Sequence, residues 1–263
     1  MNKENLIKLK EKFDKVKKMG WIKSIRKGST GIGATFENIM GLSENSFEIP
    51  DFNGIEIKTK RNYSNSYTSL FNYSPEGKYC YEIDKLKDKF GYPDKILKNY
   101  KVLNKSFYCN MKVRVSNYYF VLKVDRSLKK IILKIIDLYG NLIEDEIYWD
   151  FKEIEEKLNR KLHFLAFVNA CRKIDNKEEY FKYYKMDLYE LKDFDTFIYL
   201  VEKGIIRITF KMSVFRTGPK CGLMHNHGTS FDIKEEDLLK LFNKIGSYNW
   251  YFYSLIIYKM AQF

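Results

Sequence analysis

FEIPDFNGIEIKTKR, residues 47–61, reads as a short β-hairpin carrying a pair of carboxylates. Asn53-Gly54 is a strong signal for a two-residue turn, because both central residues must accept φ > 0. A turn at that position sets Phe52 opposite Ile55 and Asp51 opposite Glu56. Lys58, two residues past Glu56, shares its face, while Ile55 and Ile57 point the other way. Opposed carboxylates repel, and a bound cation relieves them. A hard divalent ion on oxygen ligands beside an ammonium outlines a phosphodiester-hydrolysis site. An ordinary hairpin with a solvated charged face is the competing reading of the same residues.

The rest of the composition narrows the class. A chain of 263 residues can bury a core as one large domain or two lobes. Hydrophobic content of 45% and aromatic content of 17% exclude general disorder. The formal charge of +13 suits a polyanion, and its spread along the chain favours nucleic acid over a membrane surface; a lysine-rich, AT-biased proteome would give the same excess. The four cysteines, Cys80, Cys109, Cys171 and Cys221, have no paired spacing and suit reduced thiols. The start of the chain lacks the apolar run of a signal peptide. The most apolar stretch, 248–258, is too short to span a bilayer. A soluble cytoplasmic protein is expected.

Around the hairpin, Leu6, Leu9, Phe13 and Val16 at helical spacing predict an amphipathic helix ended by Gly20. KGSTGIGA, 27–34, is a glycine-rich loop without a nucleotide-binding pattern, leading into a helix at 35–40 stopped by Gly41. Its glycines could let backbone approach a DNA phosphate. Glu37 lies on the flank of that helix, a candidate third acid. Residues 62–79 are polar and read as a loop. Part of 85–100 is helical, broken at Pro93. Strands are expected at 112–124 and 131–138, a helix at 151–160, and an antiparallel pair at 163–174 and 180–188 around Asp175-Asn176. A helix at 194–203, a strand at 205–215, a polar loop at 216–229, a short strand at 231–233 and a closing helix at 234–245 complete the chain. The sum is a mixed α/β fold with mainly antiparallel strands. The boundary between lobes is expected near the helix at Phe151, giving 1–150 and 151–263.

An acid two residues before a lysine is weak evidence in this chain. The triplet also occurs at Glu76, Asp150, Glu155, Asp175, Glu190 and Asp232. Glu56-Ile57-Lys58 differs by its apolar alternation, by Asp51 across a specified turn and by Glu37 upstream.

The longer stretch GIGATFENIMGLSENSFEIPDFNGIEIKTKR resembles the MvaI/BcnI group of type II restriction endonucleases, within the MutH-like branch of the PD-(D/E)xK nucleases. The resemblance rests on Gly31, Gly33, Glu37, Asn45, Pro50-Asp51, Gly54, Ile55-Glu56-Ile57-Lys58 and Lys60-Arg61. A second match, His225-Asn226-His227-Gly228-Thr229 with Phe231, is similar to the family's late HxHGT-x-F segment. Ile57 stands where the family often has leucine. The resemblance implies a restriction-endonuclease-like core, a mixed, mostly antiparallel sheet flanked by helices, with catalytic and recognition lobes around a DNA cleft. It implies Mg²⁺-dependent cleavage of double-stranded DNA at a short site. By the same resemblance Asp51 and Glu56 ligate the metal with the Ile57 carbonyl, Lys58 orients or helps deprotonate the water, and Glu37 is an auxiliary acid. Lys60 and Arg61 are the basic residues that follow and are expected to contact DNA.

Arg216, Lys220, His225, Asn226, His227 and Thr229 crowd the late polar segment, a donor-rich set suited to major-groove readout. Cys221, His225 and His227 resemble a zinc cluster but lack a second ligand pair. The letters HNH do not make an HNH nuclease, whose ligands are dispersed in a ββα unit. A purely structural loop is a further reading. The expected function is thus a type II restriction endonuclease acting as a monomer or DNA-induced dimer, with a cognate DNA methyltransferase encoded nearby. The alternatives are a MutH-like nicking enzyme of mismatch repair and a noncatalytic basic nucleic-acid-binding protein.

Overall fold

The computed structural model describes residues 3–42, 49–62 and 66–249. Asn45, Phe47, residues 63–65 of the polar stretch and residues 250–258 lie outside the described residues. In chain order the elements are α1 (Lys3–Lys18), β1 (Ile22–Lys23), α2 (Gly31–Met40), β2 (Ile55–Arg61), β3 (Thr68–Asn72), β4 (Glu76–Gly77) and α3 (Ile83–Phe90). There follow β5 (Tyr92–Pro93), β6 (Lys101–Phe107), β7 (Lys112–Val115), β8 (Tyr118–Asp125), β9 (Lys130–Asp137), β10 (Leu142–Asp150) and α4 (Phe151–Leu162). The chain continues through β11 (Phe164–Asp175), β12 (Glu178–Leu191), α5 (Phe194–Glu202), β13 (Arg207–Val214), β14 (Met224–Ile233), a 3-10 turn (Glu235–Asp237), α6 (Leu238–Leu241) and β15 (Phe242–Asn249). Among the described residues no helix is long and apolar enough to cross a membrane.

Two compact units result. The first takes the chain up to Ser66, Asn159–Lys192 and the chain from Phe242. The second takes Tyr67–Leu158 and Asp193–Leu241. The chain therefore passes between units four times, where the sequence suggested one cut at 150. Hydrophobic patterning marks elements but not the unit to which a returning segment belongs.

The first unit is built on one sheet in which β12 pairs β11 along one edge and β1 and β15 along the other, while β11 carries β2 on its far side. The β2–β11 ladder is parallel, Ile55 to Phe164 through Arg61 to Ala170; the remaining pairs are antiparallel. The expected 163–174 and 180–188 pair is β11–β12, turned through Asn176 and Lys177 at φ 49° and 64°. Leu9, Phe13 and Val16 of α1 and Ile32, Phe36 and Met40 of α2 pack with Ile55, Ile57, Val168 and Tyr183 in one core. The helix of the glycine-rich loop thus begins at Gly31, four residues earlier than expected, and Thr30 precedes it without a side-chain cap.

The second unit holds two sheets, β4-β10-β9-β8-β7 and β3-β14-β13-β6-β5. Trp149, Phe210 and Phe231 are fully buried between neighbours, with Phe71 stacked on Phe231 at 4.7 Å and Phe107 on Phe120 at 4.9 Å. Several expectations are corrected here. The polar stretch 62–79 contains β3, whose Leu70 and Phe71 are buried. The single strand at 112–124 is two, β7 and β8, folded back at Ser116 with φ 51°. Residues 224–229 are strand, not loop, because they pair with β13. The closing helix shrinks to the short α6, and residues 242–249 form β15 against β12.

Candidate active site

The chemistry-bearing strand is β2. Ile55 and Ile57, 1% and 4% exposed, enter the core, so Glu56 and Lys58 leave from the other face. Asn53 and Gly54 take φ 46° and 87°, and Phe52 and Ile55 exchange two backbone hydrogen bonds of 3.0 and 2.9 Å. That is the expected turn register. The hairpin is one bridge long, however, and the strand that supports β2 is β11. Asp51 is held at the turn by its own side chain, whose Oδ2 accepts from the Ile57 N–H at 2.8 Å.

Glu56 is 1% exposed. Its Oε1 lies 2.5 Å from Lys58 Nζ and 3.8 Å from Lys161 Nζ, at the end of α4. Its Oε2 is buried with no hydrogen-bond partner. Burial pushes the Glu56 carboxyl above its ordinary range; Lys58 and Lys161 pull it back and Asp51 adds to the push. Glu37, on α2, is also raised, first by burial and then by Asp51, against Lys58 and Arg26. Asp51, Glu56, Lys58 and Glu37 therefore share one electrostatic field. Phe36 seats α2 through its contact with Tyr183, whose hydroxyl donates to the Ile32 carbonyl at 2.7 Å.

The residues fit a hard cation. Two carboxylates and a main-chain carbonyl are oxygen donors, and the unpartnered Glu56 Oε2 is an acceptor left without a donor in a buried place. Among the described residues no three His, Cys, Asp or Glu side chains form a metal-holding group. The rest of a coordination shell would come from main chain, water or substrate, as Mg²⁺ commonly arranges it.

With the folded pKa of Glu56 raised by burial, this group's contribution to stability is full below its unfolded pKa and lost as pH rises through the folded one. Metal-free Glu56→Gln protein is expected to melt above the parent at about pH 8, with the gap closing toward about pH 4. A divalent cation should raise the melting temperature of the parent alone. Equal stabilisation of both proteins by Mg²⁺ would remove Glu56 from the ligand set.

The other sequence-derived residues are placed less uniformly. Lys60 is 6% exposed and donates to the Ser66 carbonyl at 2.9 Å. Arg61 donates to the Gly28 carbonyl at 2.7 Å and pairs with Glu179 at 3.1 Å. In the second unit, Arg216 forms a forked pair with buried Asp94, Nη2 to Oδ2 at 2.7 Å, which holds that carboxyl well below the usual range. Lys220 is exposed, 5.8 Å from the Phe215 ring centre. His225 stacks on Phe215 at 4.1 Å and meets His227 at 4.0 Å, and Asn226 Oδ1 accepts from the Gly228 N–H. Burial, His225 and Lys211 lower the His227 pKa. Thr229 is buried. A register shift opposite Phe210–Met212 gives β14 one extra residue in this run.

Sequence reasoning missed Lys161. It lies one residue beyond the expected helix end at Arg160, and only the β2–β11 pairing brings it to Glu56. No local signal distinguishes it from its lysine neighbours.

Sheets flanked by helices, with two acids and a lysine gathered at one strand, define a nuclease of the restriction-endonuclease class. The MvaI/BcnI restriction endonuclease family matches residues 10–242, and the chain belongs to it. It is a type II site-specific deoxyribonuclease. The structure is similar to a restriction endonuclease MvaI–cognate DNA substrate complex, with a TM-score of 0.86 and 29% identity over 95% of this chain and 99% of that one. Similarity to restriction endonuclease MvaI in the absence of DNA has a TM-score of 0.58, with 30% identity over 93% and 98%. No curated protein matches the chain by sequence.

Proposed function

We propose that this endonuclease hydrolyses a phosphodiester in double-stranded DNA with Mg²⁺ held by Asp51, Glu56 and the Ile57 carbonyl. The observation that carries the reading is the buried Glu56 Oε2 without a partner, beside Asp51 and Lys58. When bound, the metal supplies Lewis acidity toward the phosphate and lowers the pKa of water. The chain's own groups do the rest. The Ile57 N–H fixes the Asp51 carboxylate. Lys58, held at Glu56, orients the attacking water and places positive charge beside the phosphate oxygens. Lys161 offsets part of the Glu56 charge, and Glu37 serves as an auxiliary acid on Lys58 or water. Arg216, Lys220, His225, Asn226 and His227 form the base-reading segment, in a recognition lobe distinct from the catalytic one, while Thr229, expected there too, is buried. The likeness to an MvaI complex with cognate DNA supports duplex DNA as substrate.

Purified protein with Mg²⁺ is expected to cut unmethylated plasmid into discrete fragments as a monomer or DNA-induced dimer. A restriction role also calls for a cognate DNA methyltransferase encoded nearby, whose methylation should protect the plasmid. Sequenced fragment ends would give the site and stagger. Plasmid left intact across many sequences and divalent metals would sink the reading. Open circles that never become linear would favour the MutH-like nicking alternative.

A further inference from the structure

A cavity of about 370 Å³ opens in the first unit and is not lined by Asp51, Glu56 or Lys58. One wall is the segment from Lys23 to Gly28; the other is the β11–β12 hairpin, with Arg172, Ile174, Lys177, Glu178 and Glu179. Five cationic side chains face two carboxylates there. Both carboxylates are already engaged: Glu178 pairs with Lys23 at 2.6 Å, and Glu179 with Arg61 and Arg172. Lys27 and Lys177 are exposed and have no side-chain partner among the described residues. The walls are built rather than loose. Ser24 N–H donates to the Glu179 carbonyl at 2.8 Å, and Arg61 ties the Gly28 carbonyl to Glu179 across the gap. Gly31 closes the loop so tightly that a β-carbon there would meet the Arg26 carbonyl at 2.5 Å.

An excess of positive charge around a concave, polar space is complementary to an anion, and in a DNA enzyme the abundant anion is the backbone. We propose that this cavity seats a phosphodiester of the DNA substrate away from the bond that is cut, as a sequence-independent anchor. The inference rests on the reading of the chain as a duplex-cutting enzyme. Arg61 then contributes to DNA binding by bracing the cavity, and Lys27 and Lys177 supply free charge to it. Arg26, which lines the cavity, also opposes the rise that burial imposes on the Glu37 carboxyl.

The test is the Lys27→Ala/Lys177→Ala double variant, with Lys27→Arg/Lys177→Arg as its charge-retaining control. Binding is measured in chelator on two duplexes, one containing the cleavage sequence and one lacking it, across a salt series. The Ala variant should bind both duplexes roughly tenfold or more weakly and lose about 1 from the slope of log affinity against log salt. Its single-turnover cleavage at saturating DNA should match the parent, and the Arg variant should bind as the parent does. An unchanged slope, a loss confined to the duplex carrying the site, or a loss that the Arg variant shares would overturn the proposal. So would an Ala variant that binds DNA normally but loses stabilisation by inorganic phosphate, which would make the ligand a free anion. A parent protein that neither binds nor cuts any duplex would instead defeat the functional reading, and this inference with it.

Discussion

Asp51→Asn protein is expected to bind duplex DNA as the parent does and to cleave it on the order of 10³-fold more slowly. The substitution is chosen because the Asp51 side chain has two jobs that can be separated. One is local: an oxygen accepts the Ile57 N–H at 2.8 Å, and an asparagine carbonyl oxygen can take over that bond. The other is charge, which the amide lacks. With Glu56 largely buried and already shared with Lys58, an amide in place of Asp51 leaves one anionic oxygen donor too few for a tightly held divalent ion. The fold should survive, so single-turnover cleavage and DNA binding measured on the same preparation separate chemistry from affinity. Cleavage at the parent rate would remove Asp51 from the site.

The largest expected effect on stability is at the neighbour of Glu37. Phe36→Ala should cost about 3–5 kcal/mol. The ring is 0% exposed, 5.0 Å from Tyr183 and 6.4 Å from Phe13 between ring centres, and it binds α2 to both α1 and the sheet. Helices and strand close the space from several sides, leaving little scope to collapse around a missing ring. Chemical denaturation followed by far-UV circular dichroism gives the number, and a loss below about 1 kcal/mol would mean that α2 is not docked as described. Cleavage should weaken too, since Glu37 is carried by the same turn of helix.

These two residues also mark what can be read from residues alone. The Asn53-Gly54 turn was legible because its backbone demands φ > 0 at two successive positions, a local requirement few sequences meet. The apolar face of α1, with Leu9, Phe13 and Val16, was legible from spacing. What β2 pairs with was not, because a parallel partner lies far along the chain and leaves no turn between the two strands. The segment from Met224 to Thr229 looks like a loop because its polar histidines and asparagine hide an alternation that becomes apolar only toward Phe231 and Ile233. β10 escaped notice for a different reason: two register shifts interrupt its pairing with β9 and break the period-two pattern. Residues 234–245 place Leu238, Leu239 and Phe242 at helical spacing, yet β15 starts at Phe242 and is stapled to β12 by polar contacts, Ser247 and Lys244 reaching Asp187 at 2.6 and 2.9 Å. Lys60, expected to face DNA, is buried for a tertiary reason no local pattern contains.

The parallel ladder between β2 and β11 has a consequence in time as well as in space. Ile55 pairs with Phe164, so about a hundred residues must be synthesised after the catalytic strand before its supporting neighbour exists. At an elongation rate of roughly 5–20 residues per second, the nascent chain carries Asp51, Glu56 and Lys58 for several seconds without the sheet that aligns them. Lys161 arrives just ahead of β11. A ribosome-bound fragment ending before β11 would hold Glu37, Asp51 and Glu56 without the strand that supports β2, and is expected to be inert in a cleavage assay.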